Sequence, residues 1–191
     1  RDRYPPERLT IHEGDALAFD FARLGAPLRV VGNLPYNIST PLLFHLAGFA
    51  AGVKDMTFML QKEVVMRMVA EPGSADYGRL SVMLQYRFRM GRLFDVAPGA
   101  FRPAPQVTSS IVRMMPLPAE QLGARDEALL GRIVAAAFGQ RRKTLRNTLR
   151  DFLDEAGFAA LELDPGLRGE RLGVADFVAI ANHCAGRAGA N

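Results

Sequence analysis

The strongest constraint in this sequence is the change of pattern across residues 28–41, Leu-Arg-Val-Val-Gly-Asn-Leu-Pro-Tyr-Asn-Ile-Ser-Thr-Pro. The apolar run at 28–31 predicts a buried strand that stops at Gly32. Ser39 or Thr40 then offers a helix N-cap, with Pro41 at or near the first helical position. Asn33-Leu34-Pro35-Tyr36 is thereby placed just past the carboxyl end of a strand, which is where open α/β sheets bind ligands.

Proline fixes its own φ and drives Leu34 toward an extended conformation. The carbonyls around Pro35 can then point out of the turn, beside the side-chain carbonyl of Asn33. Two such acceptors can hold both hydrogens of an exocyclic amino group, and Tyr36 offers a flat face for the ring that bears it. Drawing both N–H bonds out of the ring plane localises the nitrogen lone pair, so the amine can be alkylated without a strong general base. The plainer alternative is a polar turn with a partly buried tyrosine. For a bare Asn-x-Pro-Tyr that alternative is the better one; the strand before it and the capped helix after it favour chemistry.

Several stretches together resemble one family, the ribosomal RNA adenine dimethyltransferases. Asn33-Leu34-Pro35-Tyr36-Asn37-Ile38 is similar to their catalytic motif, and Glu13-Gly14-Asp15-Ala16-Leu17 to their cofactor-adenine motif one strand earlier. Gln61-Lys62-Glu63-Val64 resembles the segment leaving the next strand. Phe101-Arg102-Pro103-Ala104-Pro105-Gln106-Val107 resembles their Phe-x-Pro-x-Pro-x-Val loop. The run from Phe138 to Asn147 resembles the first helix of their small C-terminal domain, and the run from Arg171 to Phe177 its last.

The resemblance implies an α/β fold: a Rossmann-like class I methyltransferase sheet with a small C-terminal helical domain. The division would be a methyltransferase part at 1–117 and a helical RNA-binding part at 118–191. It implies S-adenosylmethionine as cofactor and N6,N6-dimethylation of two adjacent adenosines near the 3′ end of small-subunit (16S) rRNA. The partner would be the immature 30S subunit, the protein a monomer and the compartment the cytoplasm. Asn33, Leu34, Pro35, Tyr36 and Phe101 would be catalytic; Asp15, Ala16 and Asn33 would touch the cofactor.

The family's glycine-rich loop and the acid that binds the cofactor ribose have no counterpart before Asn33. The sheet is therefore expected to be incomplete, with its first strands missing, and the 191-residue chain to be inactive by itself. In the family the missing first strand sits beside the strand at 28–31. That strand is thus expected to be an edge unless another chain, or the one expected at 9–13, fills the gap. Residues 1–4 are expected to belong to the helix after the family's second strand. Two rival classes stay open. One is a non-catalytic RNA- or ribosome-binding module; the other is a relative acting on large-subunit rRNA or in mitochondrial transcription.

Single residues carry less weight alone. Asp15 is equally a turn former, and Phe101 equally a lid on the core beneath its loop. As a partner of Tyr36 across a flipped base, Phe101 would contribute roughly 1–3 kcal/mol of stacking, offsetting much of the cost of unstacking. Phe19 and Phe21 read as core. Elements are expected at 41–49 (helix), 53–61 (strand), 63–70 (helix), 80–86 (helix or strand, the resemblance and the face of Leu80, Met83 and Leu84 favouring a helix), 88–96 (a strand that the resemblance implies), 110–115 (strand), 127–138, 141–153 and 174–185 (helices), with an exposed, mobile loop at 73–78. On a helix at 141–153, Arg142, Arg146 and Arg150 recur at i, i+4 and i+8, with Arg141 and Lys143 beside them. A charge run is usually a solvated face. Here no acid intervenes before Asp151, which favours phosphate contacts.

Composition excludes other classes. The chain has 191 residues, 49% hydrophobic, a net charge of +4 and a pI near 9.6. That suffices for one core and a small second one and suits a polyanionic partner. No apolar run reaches transmembrane length, and the Arg-rich start lacks an apolar signal core. The one cysteine, Cys184, cannot form an internal disulfide and suits a reducing compartment. His12, His45 and the adjacent pair His183-Cys184 are too scattered to predict a metal site.

Overall fold

The computed structural model describes residues 8–188; the helix expected at 1–4 lies outside them. Four strands form one sheet in the order β1-β2-β4-β3: β1 (Leu28–Asn33), β2 (Val53–Gln61), β3 (Phe88–Val96) and β4 (Ser109–Pro116). β1 runs parallel to β2, which a crossover through α1 (Ser39–Ala47) requires. β4 is antiparallel to both β2 and β3.

The apolar faces of β2 and β4 meet α1, α2 (Lys62–Met68) and α3 (Arg79–Arg87) in a core of Leu43, Leu46, Met56, Phe58, Leu84, Met114 and their neighbours. Each side chain of this kind contributes about 1.5–3 kcal/mol on burial. A second core gathers Leu130, Ile133, Leu149, Phe158, Phe177 and Ile180 from α4 (Glu127–Gly139), α5 (Leu145–Thr148), α6 (Glu155–Ala160), α7 (Val174–Ala188) and their connections. α3 serves both: Leu80 and Leu84 face the sheet core, while Val82 and Tyr86 face the helical one. Its start is held by Ser81, whose buried hydroxyl accepts from the Gly78 amide at 3.0 Å and donates to the Arg67 carbonyl at 2.5 Å.

Six expectations need correction. Residues 9–13 form no strand: Leu9 and Ile11 are exposed and no ladder includes them. Extended geometry becomes a strand only beside a partner, and among the described residues β1 is a sheet edge beside β2. For the same reason the run at 28–31 is not buried; it alternates, and Val31 is 79% exposed.

Neither Ser39 nor Thr40 caps α1. Ile38 occupies that position without a side-chain bond, and the Ser39 hydroxyl donates to the Tyr36 carbonyl at 3.2 Å. The loop at 73–78 is tied down: the Gly73 amide donates to the Glu170 carbonyl at 2.7 Å, and Tyr77 is buried in the helical core. Burial, then the charge of Asp176, raises the Tyr77 phenol to about 12.

The helix at 141–153 contracts to the single turn of α5, because tertiary bonds claim its first amides. Leu145 N–H donates to the Leu167 carbonyl at 2.7 Å and Arg146 N–H to that of Pro165 at 3.0 Å. Phe21 is half-buried and packs against the sheet core, whereas Phe19 is half-buried outside it; both join a ring cluster with His45 and Phe49.

Candidate active site

The site begins at the carboxyl end of β1. Asn33 pairs with Met59 of β2, and the next amide, Leu34 N–H, donates to the Met59 carbonyl at 3.1 Å. Leu34 then turns inward and is buried. Its side chain lies so near Gly32 that a Cβ there would sit 3.2 Å from Leu34 Cδ2 and 3.7 Å from Phe58. Gly32 therefore permits the close approach that lets the chain turn at this point. With Leu34 anchored, Asn33, Pro35 and Tyr36 are left at the surface, Tyr36 with 47% of its area exposed. The Asn33 side chain bonds to no other described residue, so its amide is available.

The connection between β3 and β4 supplies the opposite wall. A short 3-10 turn, Pro98–Ala100, ends at Phe101, whose amide donates to the Pro98 carbonyl at 3.1 Å. Phe101, Pro103, Pro105 and Ser109 then line the same cleft as Asn33, Leu34, Pro35 and Tyr36, an open cavity of about 330 Å³. Its size suits a single flat heterocycle. One wall carries an amide and backbone oxygens; both walls carry a ring. The two prolines of the Phe101 loop belong to the lining itself.

The Pro35 carbonyl is less free than the sequence suggests. It already accepts from Ile38 N–H at 3.2 Å, so an incoming amine meets its second lone pair. Asp15 lies outside the cleft. Its carboxylate accepts from Leu17 N–H at 2.9 Å in a tight turn, and one oxygen remains for a ligand. Ala16, beside it, packs against the sheet core.

The cationic segment is rearranged by the loss of the long helix. Arg141 donates to the Ala75 carbonyl at 2.5 Å and lies 3.5 Å from Glu170. Arg146 pairs with Glu155 at 3.1 Å and Arg150 with Asp151 at 3.7 Å. Glu170 and Glu155 thus supply acids that the run itself lacked, while Asp151 is Arg150's own neighbour in sequence. These pairs are exposed and individually weak, so they leave the arginines exchangeable toward a phosphate. Arg142 is exposed, and Lys143 joins Arg150 at a polar cavity with Gln140 and Asn147. Among the described residues no group of three or more His, Cys, Asp or Glu could hold a metal ion. None of the described helices is long and apolar enough to cross a membrane.

A parallel pair of strands extended by an antiparallel hairpin, with its cleft at the carboxyl end of β1, defines a Rossmann-like methyltransferase fold. Solved structures agree. A dimethyladenosine transferase from Plasmodium falciparum superposes with a TM-score of 0.75 at 23% identity, over 88% of this chain and 70% of that one. The 23S rRNA methyltransferase ErmE gives a TM-score of 0.63 at 21% identity, over 90% of this chain and 70% of that one.

Sequence is more specific. The model of the ribosomal RNA adenine dimethylase family matches residues 2–185, and the chain belongs to that family. The ribosomal RNA small subunit methyltransferase A of Aromatoleum aromaticum is 84% identical over 97% of this chain and 70% of that protein. The protein of the same name from Thiobacillus denitrificans is 62% identical over 98% of this chain and 73% of its own length.

Proposed function

We propose that this protein dimethylates N6 of two adjacent adenosines near the 3′ end of small-subunit rRNA, using S-adenosylmethionine. The observation that carries this is the cleft in which Asn33, Pro35, Tyr36 and Phe101 converge. The relatives named for small-subunit methylation direct the choice of RNA.

Tyr36 and Phe101 hold the extruded adenine between them. Asn33 Oδ1 and the free lone pair of the Pro35 carbonyl accept the two N6 hydrogens, and Leu34 fixes both from below. Held this way, the amine directs its lone pair away from the ring plane. S-adenosylmethionine, when bound, supplies a methyl carbon bonded to a positively charged sulfur. Asn33 and Pro35 would aim the amine lone pair at that carbon, for which the sulfonium would be the leaving group, and the surplus amine proton would pass to water. The open mouth of the cleft admits that water, so the chain needs no separate base.

The exposed Asp15 carboxylate, with one oxygen unused, fits the adenine end of the cofactor, and Asn33 makes a smaller contact. No residues matching the family's methionine-binding loop or ribose-binding acid occur before Asn33. We therefore expect the 191-residue chain alone to bind the cofactor weakly and turn over little. Titration calorimetry checks this, and micromolar affinity would contradict it. Residues 118–191 present Arg141, Arg142, Lys143, Arg146 and Arg150 to RNA phosphates, while residues 1–117 carry the chemistry. The setting that suits this activity is a cytoplasmic monomer acting on the immature 30S subunit.

The deciding experiment deletes the gene encoding this chain and maps dimethylated adenines in both rRNAs. Loss of the adjacent pair near the 3′ end of the small-subunit rRNA is expected. Loss at a large-subunit adenine, or no loss at all, would refute the assignment.

A further inference from the structure

The two walls of the cleft come from different strands. One follows β1 and is keyed to β2 through Asn33 and Leu34 at Met59. The other is the loop at 97–108, between β3 and β4. Something must set the gap between them, because a stacked base tolerates little change in ring separation.

A polar cluster lies where that loop leaves the sheet. Asp95 and Ser110 face each other across β3 and β4, one register step inside the Val96–Ser109 pair that closes the ladder. The Ser110 hydroxyl donates to Asp95 Oδ1 at 2.8 Å. Arg92 adds bonds to the same carboxylate at 3.0 and 3.2 Å.

The third partner comes from across the sheet. Lys62, the first residue of α2, follows directly on β2, and β4 lies between β2 and β3. Its Nζ reaches over β4 to Asp95 Oδ2 at 2.8 Å. Its backbone N–H donates to the Thr108 carbonyl at 2.9 Å, on the returning stem of the loop. Lys62 thus grips both stems of the Phe101 loop while being covalently continuous with the strand that positions Asn33.

The carboxyl of Asp95 is held below its ordinary range, first by the bond from Lys62 and then by that from Ser110. None of these groups lines the cleft.

We infer that Lys62, Asp95 and Ser110 form a staple that sets the distance between the Tyr36 and Phe101 walls, and that they are positioning residues for methyl transfer. This rests on the proposed function for its activity readout but not for its structural one. Misplacing a catalytic group by about 1 Å can cost a hundredfold in rate, so releasing one stem of the loop acts on turnover more than on RNA affinity.

The test is a double-mutant cycle in the full-length enzyme. It is read by methyl transfer to unmodified small-subunit rRNA and by hydrogen exchange at the Ala100 and Phe101 amides. Lys62→Met and the isosteric Asp95→Asn are each expected to lower kcat about tenfold or more, with KM for rRNA within about twofold of the parent. Lys62→Arg restores most of the rate. In a Phe101→Ala background Lys62→Met adds little further loss, since the wall it positions has gone. Exchange at Ala100 and Phe101 speeds up in Lys62→Met and Asp95→Asn.

Equal losses with and without Phe101 would overturn the staple, as would unchanged exchange at those two amides. If the parent transfers no methyl group to this RNA, the functional assignment fails. Exchange then still decides the staple's structural half: faster exchange supports it and unchanged exchange refutes it.

Discussion

Replacing Asn33 by alanine is expected to lower methyl transfer by about a hundredfold or more, the usual loss when one preorganised polar contact to a reacting group is removed. The fold is expected to survive unchanged. The Asn33 side chain is exposed and bonds to no other described residue, so its removal leaves no orphaned partner.

The loss falls on kcat. Binding of the RNA rests on phosphate contacts elsewhere, and stacking between Tyr36 and Phe101 does not need the amide. Tyr36→Ala makes the contrast. It removes a stacking partner worth roughly 1–3 kcal/mol, so it weakens capture of the flipped base and raises KM as well. Asn33→Asp keeps an acceptor in the same place and is expected to retain more activity than Asn33→Ala. Steady-state methylation of unmodified small-subunit rRNA by the full-length enzyme separates these outcomes. An Asn33→Ala protein with undiminished kcat would remove Asn33 from the chemistry.

What could be seen in the sequence follows from which forces are local. β2 at 53–61 appears at the expected residues because its apolar pattern is buried between β1 and β4, whereas β3 at 88–96, mostly exposed at the sheet edge, is expected from the family resemblance. The stretch at 9–13 has strand-forming residues but joins no ladder among the described residues, and composition cannot supply one. The helix at 141–153 failed for the opposite reason. Its local signal is good, but Leu167 and Pro165 offer carbonyls from outside, and tertiary bonds overrode propensity.

The same holds for charge. Along the chain, Arg141 and Arg146 look unopposed; folding brings Glu170 and Glu155 to them. The candidate cleft was reached through motif resemblance at both of its walls. The staple behind it was not, because Lys62, Asp95 and Ser110 are neighbours only across three strands.

Phe177→Ala is expected to destabilise the protein by about 3–5 kcal/mol. Phe177 is fully buried in α7, with its ring 5.8 Å from that of Phe138, and it packs into the helical core. A loss of this size is a large share of a typical 5–15 kcal/mol total, and in a chain of this length it lowers the melting temperature by roughly 6–20 °C.

Where the damage spreads depends on α3. That helix gives Val82 and Tyr86 to the helical core and Leu80 and Leu84 to the sheet core, so it cannot loosen on one side alone. Urea unfolding followed by circular dichroism is therefore expected to show one transition in the variant, shifted to lower urea. A variant that unfolds in two steps, with the sheet persisting after the helices have melted, would mean that α3 does not couple the two cores. The cations at 141–150 would feel the same change. Leu145 and Leu149 hold their backbone in the core that Phe177 fills, so RNA affinity and the geometry of the Asn33 turn are expected to be lost together in the new melting range.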